Sequence, residues 1–181
     1  MAFSINEFRS QMVGDGARPN LFEVSMPFPG FSAPENAQEK LTFMCKTAQL
    51  PGSTIGVVPV QYFGRELKFA GNRTFTDWAV TIINDEDFVV RNAFERWMQG
   101  LNSHTPNLRE PSALAPYSYT VDADVTQFGK RGNIIKQYKF IGMFPSDISP
   151  IDVDWGANDT MEEFSVTLSY QWWTSFEDGI V

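Results

Sequence analysis

Residues 162–173 read as a strand, and from 163 to 172 the chain alternates without a break. Phe164, Val166, Leu168, Tyr170 and Trp172 fall in one phase, and Glu163, Ser165, Thr167, Ser169 and Gln171 in the other. Successive side chains of a strand point to opposite faces, so this pattern predicts a strand with one face buried and the other wet or against a partner. A strand of that kind needs paired neighbours, and the rest of the chain supplies them.

Residues 17–26, 41–50, 54–63, 65–70, 74–83, 117–128 and 133–144 read as further strands. In the fifth of these Trp78, Val80 and Ile82 share a face, with Asp77 and Thr81 on the other. Gly64 joins one pair of strands, and residues 129–132 turn another as a hairpin. Pro59 demotes its run to a sheet edge or an exposed arm, because proline offers no ladder N–H. Two helices are predicted. A short one over residues 4–12 opens on a capping box, Ser4 with Glu7, within an N-terminal helical segment spanning 1–16. The main helix spans 85–101, with Asn84 as N-cap and Asp85, Glu86 and Asp87 at the positive end of its dipole. Its packing face is Val90, Phe94, Trp97 and Leu101, at three- and four-residue steps. Residues 27–39 and 102–116 read as loops. The predicted fold is mainly β with one packed α-helix, an antiparallel barrel or sandwich.

Length and charge narrow the classes. At 181 residues the chain is expected to form a single domain, 1–181, with one sizeable core. No apolar run is long enough to span a membrane, and the first residues lack the basic and apolar regions of a secretion signal. The formal net charge of −8 argues against a protein that grips nucleic acid by its phosphates.

Chemistry-bearing residues do not converge. His104 is the only histidine and lies in a polar loop; Cys45 is the only cysteine and reads as an inert strand thiol. The acidic run 85–87 suits a helix start better than a metal cluster, and Asp147, Asp152 and Asp154 suit polar turn and strand positions better than a cation site, so no metal or cofactor site is assigned. Asp122 and Asp124 share a strand face; a wet acidic wall fits them better than a glycosidase pair, which spacing alone leaves open. No phosphate-binding or nucleophile-elbow motif occurs. The reading is of a non-enzyme.

Several separated segments, taken in order, carry a resemblance: ARPNLFEV at 17–24, CKTAQLP at 45–51, GNRTFTDWAVTIINDEDF at 71–88, FERW at 94–97, GMFPSDISPIDVDW at 142–155 and EEFSVTLSYQWW at 162–173. Together they resemble the tail tube proteins of T4-like contractile phage tails. The loops at 27–39 and 102–116 depart from the pattern. The resemblance implies a β-barrel-like fold that assembles with itself into six-membered rings, stacked as a tube. It further implies sheath, baseplate and tail terminator proteins as partners, double-stranded DNA passing through the lumen, and a place in the virion tail. Non-viral relatives (a tailocin or a type VI-like injection tube) would share the fold and are the alternative.

Two surfaces follow as expectations. Residues 49–71, with Pro51, Val57, Val58, Pro59, Tyr62 and Arg65, are expected to form an arm reaching the adjacent ring; an ordinary meander within the subunit is the alternative. The polar strand face carrying Asp122, Asp124, Glu163, Ser165 and Thr167 is expected to line the lumen, where like charge would keep DNA sliding. The alternation permits the inverse assignment.

Overall fold

The computed structural model describes residues 5–13 and 16–177. Its elements, in order, are α1 (Ile5–Gln11), β1 (Phe22–Ser25), α2 (Ala37–Met44), β2 (Cys45–Ala48), β3 (Thr54–Tyr62), β4 (Arg65–Thr74), β5 (Trp78–Ile83), α3 (Val89–Leu101), α4 (Pro116–Tyr119), β6 (Val121–Phe128), β7 (Ile134–Ile148), β8 (Glu163–Ser169) and β9 (Trp172–Glu177). Strands join antiparallel in the order β1-β6-β7-β8-β5-β2, with β9 also on β7; β3 and β4 form a separate two-stranded sheet. The fold is therefore mainly antiparallel β, a barrel left open among the described residues, since its end strands β1 and β2 are not paired with each other.

The longest strand, β7, organises it. Its first part pairs with β6 and β9, and its last part with β8. Between them the β6–β7 register slips, with Val121 opposite Met143 but Ala123 opposite Phe140. Gly142 sits at this bulge with φ 67°, a left-handed conformation that a side chain would strain. The Asp122 carboxylate accepts the Gly142 N–H at 3.1 Å and stabilises the bulge. The bend carries β7 from one wall (β1, β6, β7, β9) to the other (β7, β8, β5, β2).

Inside, Val24, Ala123, Val125 and Phe140 of the first wall meet Trp78, Val80, Ile82, Phe164, Val166 and Leu168 of the second, all essentially buried. Trp78 and Phe140 touch across the core at 4.6 Å between ring centroids. The helix α3 adds Val90, Ala93, Phe94 and Trp97, and the Phe28 ring packs edge-on against both Phe94 and Trp97. Leu101, predicted on the same stripe, packs partly buried against the cluster.

Several sequence expectations shift. Residues 41–44 are helical: Ala37 and Leu41 are buried one turn apart, so α2 occupies the first half of the expected strand and β2 keeps only Cys45–Ala48. The main helix starts at Val89, not at 85, because the acidic run is captured by a tertiary contact. Lys40 of α2 donates to Asp85 at 2.7 Å and to Asp87 at 2.5 Å. The true N-cap is Phe88 at φ 54°, and Asn84 donates instead to Glu162 at 2.9 Å. Residues 117–119 belong to α4, whose Tyr119 carbonyl accepts the Trp97 indole N–H at 2.8 Å. The final alternation breaks at residues 170–171, opposite the Gly142 bulge. Its phase slips by one, so Trp173 faces inward beside Phe140 and Trp172 faces out. Ser4 lies outside the described residues; α1 itself is exposed throughout.

Candidate assembly surface

The β3–β4 hairpin is the most conspicuous surface feature. It turns at Phe63-Gly64, with φ 45° and 81°, the signature of a type I′ turn that matches strand twist. Glycine takes such angles freely; phenylalanine does so rarely. Phe63 nonetheless occupies the tip, is 93% exposed, and lies edge-on to Tyr62 at 4.6 Å. The register places Val58 opposite Phe69, Val60 opposite Leu67 and Tyr62 opposite Arg65, giving one apolar face. The other face pairs Val57 with Ala70, Pro59 with Lys68 and Gln61 with Glu66. There Gln61 donates to Glu66 at 3.1 Å, and Lys68 stands 3.8 Å from the same carboxylate.

Among the described residues neither strand of the hairpin pairs with the barrel. Both are exposed along almost their whole length, whereas an isolated two-stranded ribbon is marginal in water. Two indoles secure its root: Trp78 donates to the Gln49 carbonyl at 2.6 Å and Trp173 to the Gly52 carbonyl at 3.0 Å. Of the predicted arm residues, Val58, Tyr62 and Arg65 share one face, Val57 and Pro59 the other, and Pro51 sits between the anchors at the root. Leu67, Phe69, Val60 and Phe63 complete the apolar surface. The alternation of Leu67 and Phe69 with Glu66 and Lys68 is the sequence signal for the second strand's share.

The five residues expected on one polar face are divided between two walls. Asp122 and Asp124 project from the outer side of β6, while Glu163, Ser165 and Thr167 project from the outer side of β8. The inner sides of these walls pack on each other through Trp78 and Phe140, so the outer sides face apart. The Asp122 carboxylate stands 3.3 Å from Lys139, in addition to holding the bulge. Desolvation, helped by Asp122 and opposed by Lys139, raises the Asp124 carboxyl above its ordinary value. Glu163 accepts from Lys46 at 2.5 Å, and the Ser165 and Thr81 hydroxyls meet at 3.3 Å.

Elsewhere, His104 is exposed in its loop. Burial pushes the Cys45 thiol up to about 12, and its sulfur lies 3.6 Å from the Thr47 carbonyl. Among the described residues no group of three or more His, Cys, Asp or Glu is arranged to hold a metal.

Fold and surface together define a class: a small β-barrel that carries large apolar features on its outside, as a building block does. Residues 17–175 match the phage tail tube protein family, and the chain belongs to that family. It is 33% identical over 161 residues to the tail tube protein gp19 of Enterobacteria phage T4, covering 88% of this chain and 92% of the relative. It is 27% identical over 169 residues to the tail tube protein of Serratia phage KSP90, covering 92% and 94%. Among solved structures, a chain of the anti-feeding prophage baseplate superposes with TM-score 0.65 at 13% identity, covering 91% of this chain and 98% of that one. A chain from the sheath/tube terminator of an extracellular contractile injection system gives 0.63 at 13%, covering 91% and 99%. At these identities the likeness to the solved structures is one of fold. The chain is thus a structural component of a phage tail.

Proposed function

We propose that this chain assembles as six-membered rings that stack into the inner tube of a contractile tail, with the β3–β4 hairpin as the arm that crosses from one ring to the next. The observation that carries this is the hairpin's exposed apolar face, Val58, Val60, Tyr62, Leu67 and Phe69, ending in an aromatic tip. Among the described residues nothing covers that face; a neighbouring copy would. The tube works by shape and charge, without catalysis. Sheath, baseplate and terminator proteins are its partners, as the family relationship suggests.

The lumen wall in this reading is the outer side of β1, β6, β7 and β9. Its two flanking strands, β1 and β9, pair on one side only among the described residues. Such edges favour joining to the next copy's edges into one continuous barrel. Glu23, Asp122 and Asp124 face outward there against Lys139, leaving the wall acidic. Like charge keeps passing DNA from adhering.

The test is a Val60→Ser, Leu67→Ser variant, which retains the hairpin backbone. It is expected to remain folded by circular dichroism and to form no rods under the electron microscope. Rods of wild-type length from this variant would remove the arm from the stacking contact.

A further inference from the structure

The loop joining β7 to β8, residues 149–162, carries the most exposed large side chain of the described residues. Trp155 is 101% exposed, with Val153 and Met161 also standing in solvent. Asp154 fixes the turn that presents it: its carboxylate accepts the Gly156 N–H at 2.9 Å and its carbonyl the Ala157 N–H at 3.1 Å. The indole is surrounded in sequence by exposed Asp152, Asp154 and Asp159. A fully solvated tryptophan held by an ordered turn is the residue type that anchors protein interfaces.

The opposite end of β7 has the complementary character. There the β6–β7 turn and residues 12–13 and 16–18 line a groove of about 770 Å³, with Met12, Phe128, Ile134 and Ile135 in it and Arg18 and Arg131 beside them. One end of the molecule is thus acidic with a projecting aromatic; the other is apolar with arginines.

We infer that these ends are the two halves of one head-to-tail contact between copies, in which Trp155 of one copy enters the groove of the next and Asp152 and Asp154 meet Arg18 and Arg131. A second copy is the occupant because both halves of the match lie on one chain. They lie at opposite ends of its longest strand, as a heterologous contact requires. Such a contact closes a ring or extends a stack according to the rotation it imposes. The inference rests on the self-assembly proposed above, and adds a contact that the hairpin does not make.

Three variants test it in the full-length chain: Trp155→Ala, Asp152→Lys with Asp154 kept because its carboxylate holds the turn, and Arg18→Glu with Arg131→Glu. The concentration at which rods appear is read by light scattering and microscopy at low salt. Each variant is expected to raise it about tenfold or more, with melting temperatures unchanged. The combination of both charge reversals in one chain is expected to restore assembly towards wild type. Tryptophan emission, taken as the difference from Trp155→Phe, is expected to shift to the blue on assembly. Wild-type assembly by the three variants overturns the inference, as does a combined reversal no better than its parts. If the hairpin variant fails to form rods while Trp155→Ala forms them, this contact falls and the stacking arm stands. If the wild-type chain forms no rods at all, both fall. Normal assembly with lost capture of another tail component would make the loop a docking site for that component instead.

Discussion

Cys45 shows how little a residue's identity says without its surroundings. A thiol held up at about 12 instead of 9.0 stays protonated at pH 8, leaving about a thousandfold less thiolate than a free cysteine. Alkylation of the folded subunit by iodoacetamide at pH 8 is expected to be correspondingly slow and to reach normal rates in denaturant. The folded pKa lies above the unfolded one. Its contribution to stability is therefore fully present below pH 9 and declines as pH rises towards about 12, while the unfolded chain ionises. The difference in unfolding free energy between wild type and Cys45→Ala, followed across that range, checks the sign. The sequence marked Cys45 as inert, and the structure supplies a cause, which is partial burial against the core. Asp122 went the other way. Its place on a polar strand face was legible, but its bond to the Gly142 N–H was not, because the bulge that exposes that N–H arises from the pairing of strands distant in sequence.

At the scale of elements, α3 and α2 make a pair of contrasts. The α3 stripe was legible because its period survives in sequence, and the structure buries Val90, Phe94 and Trp97 together. Trp97→Ala is expected to destabilise the subunit by about 3–5 kcal/mol, since it opens a cavity and leaves the Tyr119 carbonyl without its donor. Chemical denaturation measures this, with Trp155→Ala as a near-silent control. The helix α2 was hidden because its sequence, Ala37–Met44, ends in residues that suit strands equally well. Its Lys40 then holds Asp85 and Asp87, which removes them from the helix they were expected to begin. A short apolar run is ambiguous between helix and strand; burial against neighbours decides it.

Taken as a whole molecule, the chain presents acid on more than one side, and the two polar strand faces read as one in sequence separate in space. This separation sharpens the lumen proposal. Glu23→Lys with Asp124→Lys changes the proposed lumen wall without disturbing the bulge held by Asp122. Phage carrying that pair are expected to build tails of normal length and to eject DNA more slowly at low salt, the difference shrinking as salt screens it. Glu163→Lys on the other wall is expected to leave ejection unchanged. Time-resolved ejection from triggered particles compares them, and equal rates for all three would return the lumen to a different face.

What the sequence determined by itself was everything local: alternation in β5 and β8, the stripe of α3, the proline-marked hairpin, and the shared segments that place the chain in its family. These survive because strand and helix periods are written in neighbouring residues. The tertiary structure alone decided where β7 bends, which tryptophan of the pair at 172–173 turns inward, that the hairpin stands clear of the barrel, and that Trp155 and the arginine-flanked groove lie at opposite ends of one strand. Those facts depend on register between segments far apart in the chain, and register is set by the packing of the whole core rather than by any short stretch of residues.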